Sequence, residues 1–182
     1  MAFLQQRGGY RSLRVYQVSE VIYAITYYFA HKFLERGDRT VDQMVQAARS
    51  GKQNIAEGSK ASTTSRETEI KLTNVAKASL EELMIDYEDY LKVRGLKIWD
   101  SSHPRFEAMR KYARSEAIVQ NYSSLLDKMT DEEMANLSIT LINQATYMLR
   151  RLIDRQQEQF LAEGGIREQM TRARLQHRNT KE

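Results

Sequence analysis

The sequence predicts an all-α protein: a four-helix bundle with a C-terminal helical extension. Three observations carry this. Apolar residues recur at threes and fours over four long stretches, the spacing of one helix face. Capping boxes of the form Thr-x-x-Glu/Gln begin at Thr40, Thr64 and Thr130, each at the head of one of those stretches. Proline occurs once and glycine eight times in 182 residues, too few turn formers for a β-sandwich or barrel. A parallel α/β fold would need β-branched runs between the helices, and the chain has none.

The first helix is expected over residues 13–34, with Val18, Val21, Ile22, Ile25, Phe29 and Phe33 on one face and Gly37 just past its end. Tyr23, Tyr27 and Tyr28 widen that face and read as core or interface wedges rather than base-stacking platforms. The second helix, residues 41–59, buries Val41, Met44, Ala48, Gly51 and Ile55. The small residues Ala48 and Gly51 invite close approach of a neighbour. The third helix, residues 65–94, stops at Gly95 and carries Leu72, Ala76, Leu80, Leu83, Tyr87 and Leu91 on one face. Its acids Glu81, Glu82, Asp86, Glu88 and Asp89 read as a solvated face rather than a metal cage.

After a connection over 95–103, Pro104 is expected to open a short helix. The stretch through Leu126 is one helix, or two with a break near Ser115. The last long helix, residues 131–162, carries Met134, Leu137, Leu141, Met148, Leu152 and Ile153. It would span roughly 48 Å, so its end is expected to project or to meet another subunit. The organisation is an N-terminal arm over 1–12, the bundle over 13–162 and a basic extension over 163–182. In that extension Arg167, Arg174 and Arg178 fall within about 40° of one another on a helix, away from Ile166, Met170 and Ala173. It is either a docking or binding element or a partly disordered terminus.

Charge is spread unevenly. The formal net is +4, made of +4 over residues 1–60, −3 over 61–149 and +3 over 150–182. Basic ends around an acidic middle suit an anionic partner. Arg49, Lys52, Lys60 and Arg66, on or just after the second helix, are candidate phosphate contacts. The absence of cysteine excludes disulfides, thiolate metal sites and thiol catalysis. The longest apolar run is about half a membrane span, and no signal-peptide pattern is present, so a cytoplasmic protein is expected.

No enzyme, metal or cofactor is expected. A di-metal bundle needs Glu-x-x-His, which the chain lacks, and His31, His103 and His177 lie in separate segments. Asp100, Ser102 and His103 have the residue types of a hydrolase triad, but neighbours in one turn do not supply its geometry. Gly8-Gly9 has neither the strand nor the third glycine of a phosphate loop.

The most specific segment is Gln43-Met-Val-Gln-Ala-Ala-Arg-Ser-Gly-Lys-Gln-Asn-Ile-Ala-Glu-Gly58. It resembles the signature of the four-helix-bundle proteins first noticed as products of intervening sequences in bacterial large-subunit ribosomal RNA genes. The matching positions are Gln43, Ala47, Ala48, Ser50, Asn54, Ile55, Glu57 and Gly58. The following residues, with Ala78-Ser-Leu-Glu-Glu-Leu83, are similar to the family's third helix. Residues 160–174 resemble the C-terminal extension of the subgroup with a four helix bundle suffix region. Val45 and Gln46 stand where many members have paired arginines.

The resemblance implies an up-down bundle assembling as a ring, commonly a homopentamer. A related protein, the accessory variability determinant of diversity-generating retroelements, works with a reverse transcriptase and RNA. The implied function is a non-enzymatic accessory factor that binds structured RNA or an RNA-handling protein such as a reverse transcriptase. The other reading is a protein-interaction scaffold without nucleic acid. Asn54 and Glu57 are expected to hydrogen-bond helix termini or a neighbouring helix, since a buried polar group left unpaired costs ~1–3 kcal/mol.

Overall fold

The computed structural model describes residues 9–179, and every regular element among them is helical. A 3-10 turn at Tyr10–Ser12 leads into α1 (Arg14–Phe33), α2 (Arg39–Ala61) and α3 (Arg66–Val93). Three short helices follow, α4 (Phe106–Arg114), α5 (Ala117–Asn121) and α6 (Ser123–Leu126), then α7 (Asp131–Glu163) and α8 (Ile166–Asn179). The N-terminal arm lies outside the described residues as far as residue 8. Its last part packs back on the bundle, with the Tyr10 ring 4.8 Å from that of Tyr16.

The four long helices pack in the order α1–α2–α3–α7 and back to α1. Contacts at both ends of the α3–α7 seam make those two helices antiparallel. Tyr90 near the end of α3 donates to Asp131 at the start of α7 (2.9 Å), while Gln156 near the end of α7 donates to Glu69 at the start of α3 (3.2 Å). On the α2–α3 seam, Ser50 and Ser79 share a hydrogen bond at 2.9 Å, and Gly58 faces Glu69 and Thr73. The result is an up-down bundle.

Its core follows the expected stripes, except that Phe33, Val41 and Leu72 are only half-buried at their margins. Val18, Ile22, Ile25 and Phe29 of α1 meet Met44 and Ala48 of α2, with Ala76, Leu80, Leu83 and Leu91 of α3, all fully buried. Tyr87 is also fully buried, and its hydroxyl donates to Thr26 Oγ1 at 2.9 Å. Burial pushes that phenol up to about 12, so it stays a neutral donor. On α7 the stripe shifts: Ala145 and Leu149 are fully buried, whereas Met148 and Leu152 flank it at half exposure. Two of the tyrosines beside the α1 stripe join elements, whereas Tyr27, 50% exposed, stacks on His31 of its own helix and is no wedge. Tyr28 donates to Asp127 at 2.6 Å, and Tyr23 lies under Lys52.

Three of the four long helices start on side-chain acceptors. Thr130 caps α7 as expected, its Oγ1 accepting from Glu133 N–H at 3.2 Å while Glu133 Oε2 accepts from Thr130 N–H at 3.0 Å. Burial opposes charge on Glu133, but the Thr130 N–H and Arg105 outweigh it and hold the carboxyl below its ordinary value. The other two caps sit elsewhere than expected. Asp38, not Thr40, caps α2, its carboxylate accepting from Thr40 N–H at 2.8 Å; a carboxylate is the stronger acceptor for an orphan N–H. Ser65, not Thr64, caps α3 by accepting from Thr68 N–H at 3.1 Å. Thr64 is spent on the preceding turn, donating to the Ala61 carbonyl.

α3 and α7 end at the expected glycines, whereas α1 stops at Phe33, short of Gly37, with Leu34 as its last capping residue. Gly95 and Gly164 adopt φ +67° and +74°, the left-handed region that suits glycine.

The connection from α3 to α7 is pinned by Asn136. Its Oδ1 accepts from Trp99 N–H at 2.7 Å, and its Nδ2 donates to the Lys97 and Glu132 carbonyls, both at 2.8 Å. Pro104 does not open a helix. It lies inside a turn closed by Phe106 N–H on the His103 carbonyl, and α4 begins at Phe106. Proline's fixed φ suits the second position of such a turn. The break expected near Ser115 is present: α4 runs out to Arg114, and α5 and α6 lead back to α7.

The far end of α7 does not leave the bundle, as its length had suggested. Gln156, 4% exposed, also donates to Thr73 at 3.1 Å. Arg66 reaches Glu163 at 3.1 Å. The 28-residue α3 is long enough to accompany α7 to its last turn.

Candidate nucleic-acid interface

Basic side chains of two origins gather at the end of the bundle where α1 and α3 begin and α2 and α7 finish. From α2, Lys60 is exposed and stands 5.3 Å from the Tyr10 ring centroid. Arg49 is exposed three turns earlier. Lys52 is half-buried with its ammonium 4.4 Å from the Tyr23 centroid, a cation–π contact that leaves the charge undischarged.

Arg66 does not belong with them. It is 8% exposed and ion-paired with Glu69 at 3.6 Å and Glu163 at 3.1 Å. As the first residue of α3 it points into the α3–α7 seam, where removing its charge from water requires those carboxylates. It is a structural ion-pair residue, unavailable to phosphate.

The second group is on α8, which has no buried residue. Arg167, Arg174 and Arg178 are all exposed and share one side of the helix. α8 is anchored at its start. Gly165 N–H donates to Glu168 at 2.9 Å, and Arg172 crosses to the Glu163 carbonyl at 2.7 Å, holding α8 against the end of α7. Arg172 was not singled out in the sequence. It lies about 140° from Arg167 around a helix, so periodicity placed it off the basic face. Residues 180–182 of the extension lie outside the described residues.

The signature segment is structural over most of its length. Ala47, Ala48, Ile55 and Gly58 are buried. Asn54 donates to the Ser50 carbonyl at 2.9 Å and to Ser50 Oγ at 3.2 Å, and Ser50 in turn meets Ser79 on α3. Asn54 thus reaches the neighbouring helix through Ser50. Gln43 and Glu57 are exposed, and Glu57 therefore does not join the seam it was expected to bond.

Comparison of the chain with protein-family models, curated proteins and solved structures found no match.

The triad-like residues form a turn. Asp100 Oδ1 accepts from both Ser102 N–H (2.8 Å) and Ser102 Oγ (2.6 Å), which holds its carboxyl below the usual range. The His103 ring stacks on Trp99 at 3.8 Å and its Nδ1 accepts from Arg105 N–H. The serine proton goes to the carboxylate and not to the imidazole, unlike the relay a nucleophilic serine needs. The α3 acids are spread along the helix and partly paired, as in Lys77–Glu81 (2.9 Å) and Lys92–Glu88 (3.2 Å). Among the described residues no three His, Asp or Glu side chains are placed to hold a metal ion, and no helix is long and apolar enough to cross a membrane.

Proposed function

We propose that the protein is a non-enzymatic, homo-oligomeric helical bundle that binds structured RNA as an accessory factor, alongside an RNA-handling protein such as a reverse transcriptase. The observation that carries this reading is α8: a helix with no buried residue, four arginines and one acid, held at the end of a 33-residue rod. A helix that contributes nothing to the core and concentrates positive charge suits neutralising phosphates. Lys60 and Arg49 extend the positive surface onto α2. The resemblance of residues 43–58 to the intervening-sequence bundle family supports the ring, commonly of five chains. Five chains of +4 would carry +20, turning a modest charge into a multivalent one.

The test is a titration with labelled structured RNA. At about 50 mM salt the full chain binds, and affinity falls steeply as salt rises. Replacing Arg167, Arg174 and Arg178 together by alanine weakens binding and flattens the salt slope. No binding at low salt overturns the proposal.

A second reading rests on the apolar side chains next to those arginines. Leu161 is 83%, Met170 46% and Leu175 53% exposed, a pattern that suits a protein groove. Under it, deletion of residues 164–182 abolishes capture of a protein partner and leaves any RNA affinity unchanged.

A further inference from the structure

At the end of α7 opposite to α8, a groove of about 340 Å³ lies between α4, the first turns of α7 and the chain leaving α6. Such a volume is at the small end of ligand sites. Its body is apolar. Met109 of α4 and Leu125 of α6 face it, with Met129 just before α7, Leu137 on α7 and Trp99 from the connection after α3.

The polar groups of the groove are occupied, with one exception. Trp99 Nε1 donates to Glu132 at 2.7 Å. The Tyr112 hydroxyl is shut away from solvent and so does not open on the groove. Arg105 and Glu133 are ion-paired with each other, and Glu133 also accepts from Thr130 N–H at 3.0 Å. That pair adds no net charge. Lys128 is the exception: it lines the groove, it is exposed, and its ammonium makes no hydrogen bond or ion pair among the described residues. The groove therefore combines an apolar body with one uncompensated positive charge.

We infer that this groove binds a medium-chain aliphatic carboxylate, its alkyl chain on Met109, Leu125, Met129 and Leu137 and its carboxylate on Lys128. Each methylene taken from water onto these side chains favours binding, and the flexible thioethers of the two methionines adapt to an alkyl chain. A sugar, a nucleobase or a peptide backbone would leave its hydrogen-bonding groups unpaired on such a surface. One free ammonium matches one carboxylate, whereas an alcohol leaves the charge unused and an amine is repelled by it. The site is independent of the RNA reading, since it shares no residue with α2 or α8.

The test titrates decanoate, decanol and decylamine into the full chain, each below its micelle-forming concentration. Binding is followed by calorimetry and by the emission of Trp99, the chain's one tryptophan, which lines the groove. Decanoate binds about fivefold or more tighter than decanol, the worth of one hydrogen bond between charged groups at a half-open site, and decylamine binds weakest. Hexanoate binds more weakly than decanoate, because less of its chain is taken from water. Lys128→Ala lowers the affinity for decanoate to that for decanol and leaves decanol unchanged; Lys128 is exposed, so this variant reports binding rather than folding. Met129→Asp weakens both ligands. Tyr112→Phe and deletion of residues 164–182 change neither, which separates the site from the tail. Equal affinity for the three amphiphiles, full-strength decanoate binding in Lys128→Ala, or no decanoate binding with Trp99 emission unmoved overturns the inference.

Discussion

Gly51 of α2 lies directly against Leu80 of α3: a Cβ at position 51 would stand 2.6 Å from Leu80 Cδ2 and 2.8 Å from its Cγ. Leu80 is fully buried. Gly51→Ala gains ~1 kcal/mol in helix propensity, but overpacking costs ~1–3 kcal/mol, so the variant is expected to melt lower and Gly51→Leu lower still. In a Leu80→Ala background the alanine should become neutral or stabilising. Thermal denaturation of the four variants beside the parent chain checks the sign, and an unchanged melting temperature for Gly51→Leu would show that the helices are not in close contact there.

Asn136 holds two backbone groups of the α3–α7 connection at once, the Trp99 N–H and the Lys97 carbonyl. Asn136→Ala leaves them without that partner, at an expected cost of ~1–3 kcal/mol. Trp99, 8% exposed and the chain's one tryptophan, reports on it. Its emission should shift to the red in the variant as the connection loosens, and an unchanged spectrum at lowered stability would place the loss elsewhere.

Gln156 is a polar residue where α7 would otherwise carry an apolar one. It donates to Glu69 and Thr73, both buried. Gln156→Leu removes a donor from a buried carboxylate and is expected to cost ~1–3 kcal/mol in chemical denaturation. A more stable variant would mean that the seam prefers apolar packing, as some buried polar sites do.

Asp86 has its pKa raised from 3.8 by burial first, with Glu82 and Asp89 adding to it. A carboxylate whose folded pKa is raised opposes folding once it is charged in both states, and this penalty disappears below 3.8, where both states are protonated. Asp86→Asn should therefore raise the melting temperature at pH 7, and the gain should shrink as pH falls through the raised value. A gain that persists at pH 3 would point to a cause other than charge.

The core of α3 was legible in the sequence almost residue by residue: Ala76, Leu80, Leu83, Tyr87 and Leu91 are all fully buried. Periodicity sufficed there because α3 packs on both α2 and α7 along its length. On α7 the same reasoning placed Met148 and Leu152 in the stripe where Ala145 and Leu149 are. Large side chains dominate a pattern read by eye, while the space left by α1 and α3 selects small Ala145. Of the candidate phosphate ligands, Arg49, Lys60, Arg167, Arg174 and Arg178 are exposed as that role requires. Arg66 is not, because its carboxylate partner Glu163 lies 97 residues away in the chain. The pairing of α4 with α7 was beyond reach for the same reason.

By itself the sequence determined what depends on residues within a turn or two of one another: helical periodicity, the Thr130 capping box, the glycine stops, and the concentration of arginine in α8. Tertiary structure alone decided which competing acceptor caps a helix and which charges are neutralised inside a seam. Those outcomes turn on groups distant in sequence and a few ångströms apart in space, where one hydrogen bond or ion pair settles the choice.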